Sequence, residues 1–338
     1  MLFRQLFDRE SYTYTYLLAQ DYGCEAILID PVLGQVDHYL RLLEEMHLKL
    51  LKVVDTHVHA DHITAAAELR DRTRCITVMG EESSVDSVSQ RISDGETIAI
   101  EGVSLTALYT PGHTDDSYCF LMPDRVFTGD TLLVRGTGRT DFQSGSAGDE
   151  YNSIMTKLMT LPDDVLVYPG HDYLGNTVST IGEERQHNPR LNIGDRAAFI
   201  ELMENLNLDN PKMMDVAVPA NQKVAMAQQE IDEQGWSFSA AELKALLAED
   251  GALLVDLRED SERDKNGYIE SSVNIPYTNI DTVIAENGIL SKLARATRKK
   301  LVFYCAYGER SAMALIAARE AGLESFHLKG GMAAWSHH

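Results

Sequence analysis

Thr56-His57-Val58-His59-Ala60-Asp61-His62 follows directly on the apolar run Leu51-Lys-Val-Val-Asp55, so three imidazoles and a carboxylate fall within six residues at the end of one predicted strand. Extended backbone alternates its side chains between two faces, which sends His57 and His59 to the same side. Asp61 stands where a helix N-cap is expected and puts His62 in the first helical turn. A lone histidine is commonly a surface or core residue, but three beside an aspartate at one strand end form a metal-ligand constellation. Further candidates lie downstream, each in a loop after a predicted strand and each preceded by glycine: His113 in Tyr109-Thr-Pro-Gly-His-Thr, Asp130 in Phe127-Thr-Gly-Asp-Thr and His171 in Tyr168-Pro-Gly-His-Asp. Glycine permits the tight turns that aim these side chains into a common pocket.

Short apolar runs bounded by turn residues recur around this motif and read as strands: Glu25–Asp30, Leu51–Asp55, Cys75–Met79, Thr97–Ile100, Ser104–Tyr109, Ser117–Leu121, Arg125–Thr128 and Val165–Tyr168. Helical patterns at Asp37–Met46 and Thr64–Arg72 fall between them, which predicts strands and helices around a layered core. The stretch Arg196 to Glu233, rich in Met, Asn and Gln and broken by Pro211 and Pro219, reads as the helical end of the first domain plus a linker. From Trp236 a second alternation begins: helix Ala240–Leu247, strand Ala252–Leu257, a helix near Asp281–Asn287, strand Leu301–Cys305, helix Ser311–Ala321 and strand Ser325–Leu328. That order implies a small parallel α/β sheet. Two domains are expected, residues 1–228 and 236–338, in keeping with a length of 338 residues.

Composition narrows the class. Hydrophobic content of 44% and charged content of 24% are ordinary for a globular protein, and no apolar run reaches the roughly 20 residues of a membrane helix. The start, Met1-Leu-Phe-Arg-Gln-Leu-Phe-Asp-Arg-Glu, lacks a basic segment leading into an apolar stretch, so the cytoplasm is the expected compartment. A formal charge of −22 disfavours nucleic-acid binding and requires a local arginine cluster for any anionic substrate. A homo-oligomer stays open as the assembly state. Cys24, Cys75, Cys119 and Cys305 are scattered, so neither a disulfide framework nor a cysteine zinc site is indicated. The first three sit beside apolar segments as small hydrophobes.

Cys305 differs. Strand Leu301-Val-Phe-Tyr runs into Cys305-Ala-Tyr-Gly-Glu-Arg-Ser311, and a helix follows at once. Backbone N–H groups of such a loop converge with the helix dipole on one point, which favours a bound anion or a thiolate, and Arg310 adds a full charge. Cys305 is the expected nucleophile, with Arg310 as its catalytic partner and Ala306, Tyr307, Gly308, Glu309 and Ser311 lining the anion site.

The pattern His-x-His-x-Asp-His followed by Gly-His, Gly-Asp and Gly-His resembles the metallo-β-lactamase superfamily over about the first 190 residues. The resemblance implies an αββα sandwich with metal at the sheet edge. Thr110-Pro-Gly-His-Thr-Asp-Asp-Ser-Tyr, Arg135-Gly-Thr-Gly-Arg-Thr-Asp-Phe-Gln-Ser-Gly, Gly170-His-Asp-Tyr-Leu-Gly and Glu183-Glu-Arg-Gln-His-Asn-Pro-Arg-Leu are similar to its glutathione persulfide dioxygenase branch. That branch implies one Fe(II) per chain on His57, His113 and Asp130, with open positions for substrate sulfur and O2. His59, His62 and His171 would orient the ligands, and Asp61 would handle protons. Glutathione persulfide would be oxidised to sulfite and glutathione, its carboxylates held by Arg139, Tyr173 and Arg185. The residues by themselves also supply a two-metal hydrolase site, as in glyoxalase II, so the number of metals rests on the resemblance.

Cys-x-x-Gly-x-Arg-Ser resembles the rhodanese active-site loop. Val255-Asp-Leu-Arg-Glu, Gly267-Tyr-Ile-Glu-Ser-Ser-Val-Asn-Ile-Pro and Gly330-Gly-Met-Ala-Ala-Trp follow the family order, with Tyr268 where histidine is common. This implies sulfur transfer from thiosulfate through a Cys305 persulfide to glutathione, releasing sulfite. The product, glutathione persulfide, is the substrate implied for the first domain, and tethering raises its local concentration. Two alternatives stay open at this level: a glyoxalase II-like thioester hydrolase with two metals, and a rhodanese domain that only carries sulfur to a protein partner.

Overall fold

The computed structural model describes residues 1–85, 88–142, 144–206, 217–218, 221, 231–232, 234–297 and 299–336. These fall into two compact units divided near residue 223. Pro211 and Pro219, and most of the linker expected before Trp236, lie outside the described residues.

In the N-terminal unit, β1 (Leu2–Phe7), β2 (Tyr14–Ala19) and β3 (Glu25–Ile29) pair antiparallel, and β3 pairs parallel with β4 (Lys49–Val54). β5 (Ile76–Gly80) and β6 (Gln90–Ile92) complete a six-stranded sheet in sequence order. The second sheet contains β7 (Thr97–Ile100), β8 (Val103–Tyr109), β9 (Tyr118–Leu121), β10 (Arg125–Gly129), β13 (Leu166–Pro169) and β14 (Ser179–Thr180), in the order β14-β13-β10-β9-β8-β7. Between β10 and β13 a short hairpin pairs β11 (Leu132–Leu133) with β12 (Gly136–Thr137).

Strand alternation decides which side chains meet between the sheets. Phe3 of β1 and Tyr16 of β2 meet Tyr168 of β13 and Phe127 of β10, each pair with centroids 4.9 Å apart, and the Tyr16 hydroxyl donates to Pro169 O at 2.5 Å. The neighbouring residues Val126 and Val167 face the other way and pack with Ile154, Leu158 and Ile181. Those last residues belong to the helical layer that contains α3 (Ala147–Ser153) and α4 (Ile181–His187), while α1 (Val36–Glu45) and α2 (Ala66–Thr73) flank the first sheet and α5 (Arg196–Glu204) packs on α3. This is an αββα sandwich.

The C-terminal unit holds a parallel five-stranded sheet, β15 (Ser237–Phe238), β16 (Ala252–Asp256), β17 (Val273–Asn274), β18 (Lys300–Tyr304) and β19 (Ser325–Leu328), ordered β15-β19-β18-β16-β17. Its helices are α6 (Ala240–Ala248), α7 (Asp260–Asn266), α8 (Ile280–Ile284), α9 (Ile289–Thr297), α10 (Glu309–Glu320) and α11 (Gly331–Ser336). Val255, Leu301 and Phe303 enter one core with Ala314, while Leu254, Val302 and Tyr304 enter the other with Leu243. Both faces are covered, as a parallel sheet requires. The expected helix near Asp281–Asn287 is the shorter α8, ending at Ile284.

Phe127 is 1% exposed and touches aromatic rings from both sheets. Phe127→Ala is expected to cost about 3–5 kcal/mol, read by urea unfolding of the N-terminal unit in near-ultraviolet circular dichroism. A loss under about 1 kcal/mol, the scale of a surface substitution, would contradict this packing.

Candidate functional site

The parallel strands β10 and β13 end in register, Phe127 opposite Tyr168 and Gly129 opposite Pro169. Their next polar residues, Asp130 and His171, therefore leave the sheet side by side. His171 Nδ1 donates to Asp130 Oδ1 at 2.6 Å and Nε2 to Asp61 Oδ2 at 2.7 Å. Gly129 has φ of 48°, and a Cβ there would lie 2.6 Å from Thr56 Oγ1, so the turn that presents Asp130 requires glycine.

His113 comes from the β8–β9 loop. Its Nδ1–H donates to Arg139 O at 2.7 Å, and its Nε2 lies 3.6 Å from Asp130 Oδ2. His57 Nδ1–H donates to Thr56 Oγ1 at 2.9 Å, and that hydroxyl donates to Asp30 Oδ2 at 2.9 Å. Both tautomers are thereby fixed with the Nε2 lone pair free. His57 Nε2 is buried with no partner among the described residues, and ligand atoms of His57, His113 and Asp130 lie within 4.8 Å of one another. An orphaned buried acceptor is costly unless something binds it, and a cation meets that need. Burial, reinforced by His59 and His113, holds the His57 imidazole well below its ordinary range and so neutral. Burial alone would raise Asp130, but His171, then His113 and His57, outweigh it and keep the carboxyl well below the usual range. Two imidazoles that present Nε2 and one carboxylate form a donor set for a divalent transition metal.

The remaining groups of the opening motif arrange themselves differently from the sequence expectation. Helix α2 begins at Ala66, so Asp61 is not an N-cap and His62 lies in a loop. The backbone there is claimed elsewhere: Asn221 donates to His59 O at 2.9 Å and to His62 O at 2.8 Å, and accepts from Thr64 N at 2.9 Å. Asp61 Oδ2 accepts from His62 Nδ1 at 2.9 Å and from Thr13 Oγ1 at 2.9 Å as well as from His171. His59 Nε2 faces Asp30 Oδ1 at 3.3 Å; burial would lower this imidazole, but Asp30 prevails and lifts it to about 9. Ligand atoms of His59, Asp61 and His62 also lie within 4.8 Å of one another, a second set beside the first.

A cavity of about 330 Å³ opens over Asp61, His113, Asp130 and His171, walled by Leu133, Val134, Phe142 and Leu174. Arg139 and Tyr173 line it. The Arg139 guanidinium stacks over Phe142 at 5.0 Å and is held bidentately by Asp141, at 2.6 and 2.7 Å. Tyr173 is 64% exposed, its ring parallel to His171 with centroids 6.2 Å apart. Arg185 is not in the cavity: its Nη2 donates to Met159 O and Leu161 O, and Nη1 pairs with Asp163. Arg190, five residues on, does line the cavity, with Arg135 and Arg139, and its Nη1 donates to Thr137 O at 2.7 Å. Helical spacing explains the difference, since Arg185 lies within α4 on the side of Met159, whereas Arg190 follows the helix end.

In the C-terminal unit, Cys305 ends β18 and is 1% exposed. Gly308 N–H donates to Cys305 Sγ at 3.1 Å, and Ser311 Oγ lies 3.8 Å from it. Gly308 takes φ of 101° to cap α10, a conformation that the loop needs and a side chain would resist. The loop carbonyls are capped by α11, Met332 N to Cys305 O at 2.8 Å and Ala333 N to Ala306 O at 3.0 Å, which accounts for the Gly-Gly-Met-Ala motif. Arg310 does not stand free over the loop as the sequence suggests. It is fully buried, with Nη1 and Nη2 on Glu262 at 2.8 and 2.6 Å, so a neighbouring carboxylate offsets its charge. Ser311 Oγ lies 3.0 Å from Gly308 O and 3.2 Å from His327 Nδ1. Tyr307 is partly exposed and Glu309 buried. Tyr268, the departure from the family pattern, is exposed beneath Arg263. Cys119 in the N-terminal unit is buried on Thr110, and burial pushes its thiol up to about 11, in keeping with a structural role.

Two outcomes test these environments. Asp30→Asn removes the acceptor that orients Thr56 and His57, and metal affinity should fall about 10- to 100-fold in chelator competition; unchanged affinity would contradict the Asp30–Thr56–His57 chain. Burial lowers His327 to about 4 from the ordinary 6.5, so this ring is neutral when folded and takes up a proton on unfolding within that interval. Its contribution is complete above about pH 6.5 and is lost as pH falls towards 4, by roughly 3 kcal/mol. Thermal unfolding of the C-terminal unit should show that acid sensitivity, and His327→Gln should flatten it. An equally steep profile in the variant would exclude His327 as the source.

Comparison with known proteins agrees with this fold. The metallo-beta-lactamase superfamily profile matches residues 8–171, and the rhodanese-like domain profile matches residues 239–338. The chain is 46% identical over 226 residues to mouse persulfide dioxygenase ETHE1, covering 66% of this chain and 88% of the relative. The crystal structure of ETHE1 from Myxococcus xanthus is 53% identical with a TM-score of 0.64, covering 66% of this chain and 98% of that one. A metallo-beta-lactamase structure from Staphylococcus aureus, 23% identical with a TM-score of 0.62 and covering 97% and 98% of the two chains, shares the fold. The chain therefore belongs to the persulfide dioxygenase family of the metallo-β-lactamase superfamily, with a rhodanese domain following the dioxygenase-like domain.

Proposed function

We propose that the N-terminal domain oxidises glutathione persulfide with O2 to sulfite and glutathione at one Fe(II), and that the C-terminal domain moves sulfane sulfur between thiosulfate and glutathione through a Cys305 persulfide. The observation that carries the first half is the orphaned His57 Nε2, buried opposite His113 Nε2 and Asp130 Oδ2 with its Nδ1–H already committed to Thr56. Fe(II) on this triad would offer open positions at which a persulfide sulfur and O2 could meet.

The protein's own groups do the rest. Arg139 O fixes the His113 ring and Thr56 the His57 ring, so neither donor needs to reorient on metal binding. His171 holds a proton on Nε2 towards Asp61 and one on Nδ1 towards Asp130, which keeps Asp130 oriented and places a proton at the cavity floor. Phe142, Val134 and Leu174 limit water around a bound thiol, while Arg139 and Arg190 offer cations to the glutathione carboxylates. The net charge of −22 makes these two arginines the local attraction that an anionic tripeptide requires.

At the second site, Cys305 Sγ attacks the outer sulfur of thiosulfate and the S–S electron pair leaves on sulfite. Glutathione thiolate then attacks the outer sulfur of the Cys305 persulfide, giving glutathione persulfide and restoring Cys305. Gly308 N–H lies where it supports negative charge on Sγ before and after each transfer. The Gly308 N–H on Cys305 Sγ at the start of α10 is what favours an enzyme over a passive carrier.

His113→Ala should abolish oxygen uptake with glutathione persulfide while leaving thiosulfate:glutathione sulfur transfer intact, and Cys305→Ser should do the reverse. Loss of oxygen uptake in Cys305→Ser would overturn this division of labour, and failure of the unaltered protein to turn over thiosulfate with any small thiol would favour a sulfur carrier.

A further inference from the structure

Cys305 is 1% exposed, so its thiol proton has no direct route to water. Ser311 Oγ lies 3.8 Å from Sγ and 3.2 Å from His327 Nδ1, and on the far side of that ring Nε2 lies 3.2 Å from Ser237 Oγ. Ser237 Oγ is 2.5 Å from Asp232 Oδ1, and the other oxygen of Asp232 pairs with Lys329. Ser311 and His327 are fully buried, whereas the Asp232 side chain is 26% exposed. These groups form an unbroken chain from sulfur to the surface, built from the end of β18, the first turn of α10, β19, β15 and the residues before it.

The direction of each hydrogen bond follows from the end that only accepts. Burial would raise the Asp232 carboxyl, but hydrogen bonds from Lys329 and Ser237 outweigh it and hold it below its usual range, so it is charged. A carboxylate has no proton to give, so the Ser237 hydroxyl donates to Asp232 and its lone pair accepts from His327 Nε2–H. Burial lowers His327 to about 4 and keeps the ring neutral, which leaves a lone pair on Nδ1 for the Ser311 hydroxyl proton. Ser311 Oγ can then accept from the Cys305 S–H. Gly308 O, 3.0 Å from Ser311 Oγ, is the other acceptor of that hydroxyl, so its rotation joins or parts the chain.

We propose that Ser311, His327 and Ser237 carry the Cys305 thiol proton to Asp232 and leave the Ser311 hydroxyl donating to the thiolate. This rests on the sulfur-transfer reading above and adds the step that readies its nucleophile. The thiol proton passes to Ser311 Oγ, the Ser311 proton to Nδ1, the Nε2 proton to Ser237 and the Ser237 proton to Asp232, which yields it to water. The S–H electron pair stays on Sγ. His327 begins and ends neutral, having exchanged one tautomer for the other, so the low basicity of the ring does not oppose the step. Sγ then has two donors, Gly308 N–H and Ser311 O–H. Ser311 touches the reacting sulfur, and His327 acts through it as a positioning residue. Arg310, paired with Glu262, and Glu309 are the other charged groups beside the loop, while Asp232 and Lys329 are those facing His327.

Ionisation of Cys305 in the full chain is followed against pH by ultraviolet thiolate absorbance, each variant read as the difference from the same chain carrying Cys305→Ser. Ser311→Ala removes a hydrogen bond to a charged sulfur, and the midpoint should rise by about one pH unit, a roughly tenfold smaller ratio of thiolate to thiol at a given pH. His327→Phe, or His327→Leu if that chain fails to fold by circular dichroism, lets the Ser311 hydroxyl turn to Gly308 O and should raise the midpoint in the same direction. Combined with Ser311→Ala it should add nothing, because His327 acts only through that hydroxyl. Imidazole nitrogen resonances of the isotope-labelled unaltered chain should show His327 as Nε2–H below the midpoint and Nδ1–H above it. An unmoved midpoint in either folded variant, or a ring that keeps Nε2–H throughout, overturns the proposal. Thiosulfate turnover by the unaltered protein is scored separately: its absence would sink the sulfur-transfer reading, while midpoint and tautomer would still decide the proton path.

Discussion

His171 donates from its two ring nitrogens to two buried carboxylates, Asp130 Oδ1 and Asp61 Oδ2, and this bridge joins the ends of β10 and β13 to the loop after β4. Its burial makes every other choice around it consequential, because each polar atom withdrawn from water must find a partner inside. Asp61 is satisfied by three donors, the His57 and His113 rings by Thr56 and Arg139 O, and the loop carbonyls of His59 and His62 by Asn221. His57 Nε2, left over on the side facing His113 and Asp130, is where a cation completes the network. The aromatic layer between the sheets keeps β10 and β13 in the register on which the bridge depends.

The cysteine loop solves a different problem with different means. Cys305 needs N–H groups close to sulfur, and the turn through Gly308 into α10 brings one to 3.1 Å. Glu262 offsets the charge of Arg310, so the guanidinium fastens α10 to α7, and the positive potential beside Cys305 comes from backbone dipoles more than from a free cation. The paired Asp256 and Arg258, buried together with Tyr304 OH on Asp256 Oδ2, fix the strand ends beneath the loop in the same manner.

Much of this was legible in the sequence because the chemistry is local. Gly-His, Gly-Asp and Gly-His after apolar runs mark strand ends whose metal-capable side chains the fold brings together, and Cys-x-x-Gly-x-Arg-Ser marks a cysteine loop between a strand and a helix. β1 and β2 were harder to read: Tyr14–Ala19 is buried throughout and so lacks the alternation that marks a half-exposed strand. Thr13, Asp30 and Asn221 carry no motif, and their importance arises from contacts across 48, 26 and 159 positions, respectively. Asp30 had one available signal, an aspartate closing an apolar run before proline. Arg185 and Arg190 were separable only once α4 was placed, since the helix directs the first towards Met159 and its end leaves the second over the cavity.

The most direct measurement combines metal content with oxygen and product stoichiometry on the unaltered chain. About one iron per chain, and equal amounts of O2 consumed and sulfite formed per glutathione persulfide, are expected of a mononuclear dioxygenase. Zinc at about two equivalents, with hydrolysis of a glutathione thioester and no oxygen uptake, would contradict it.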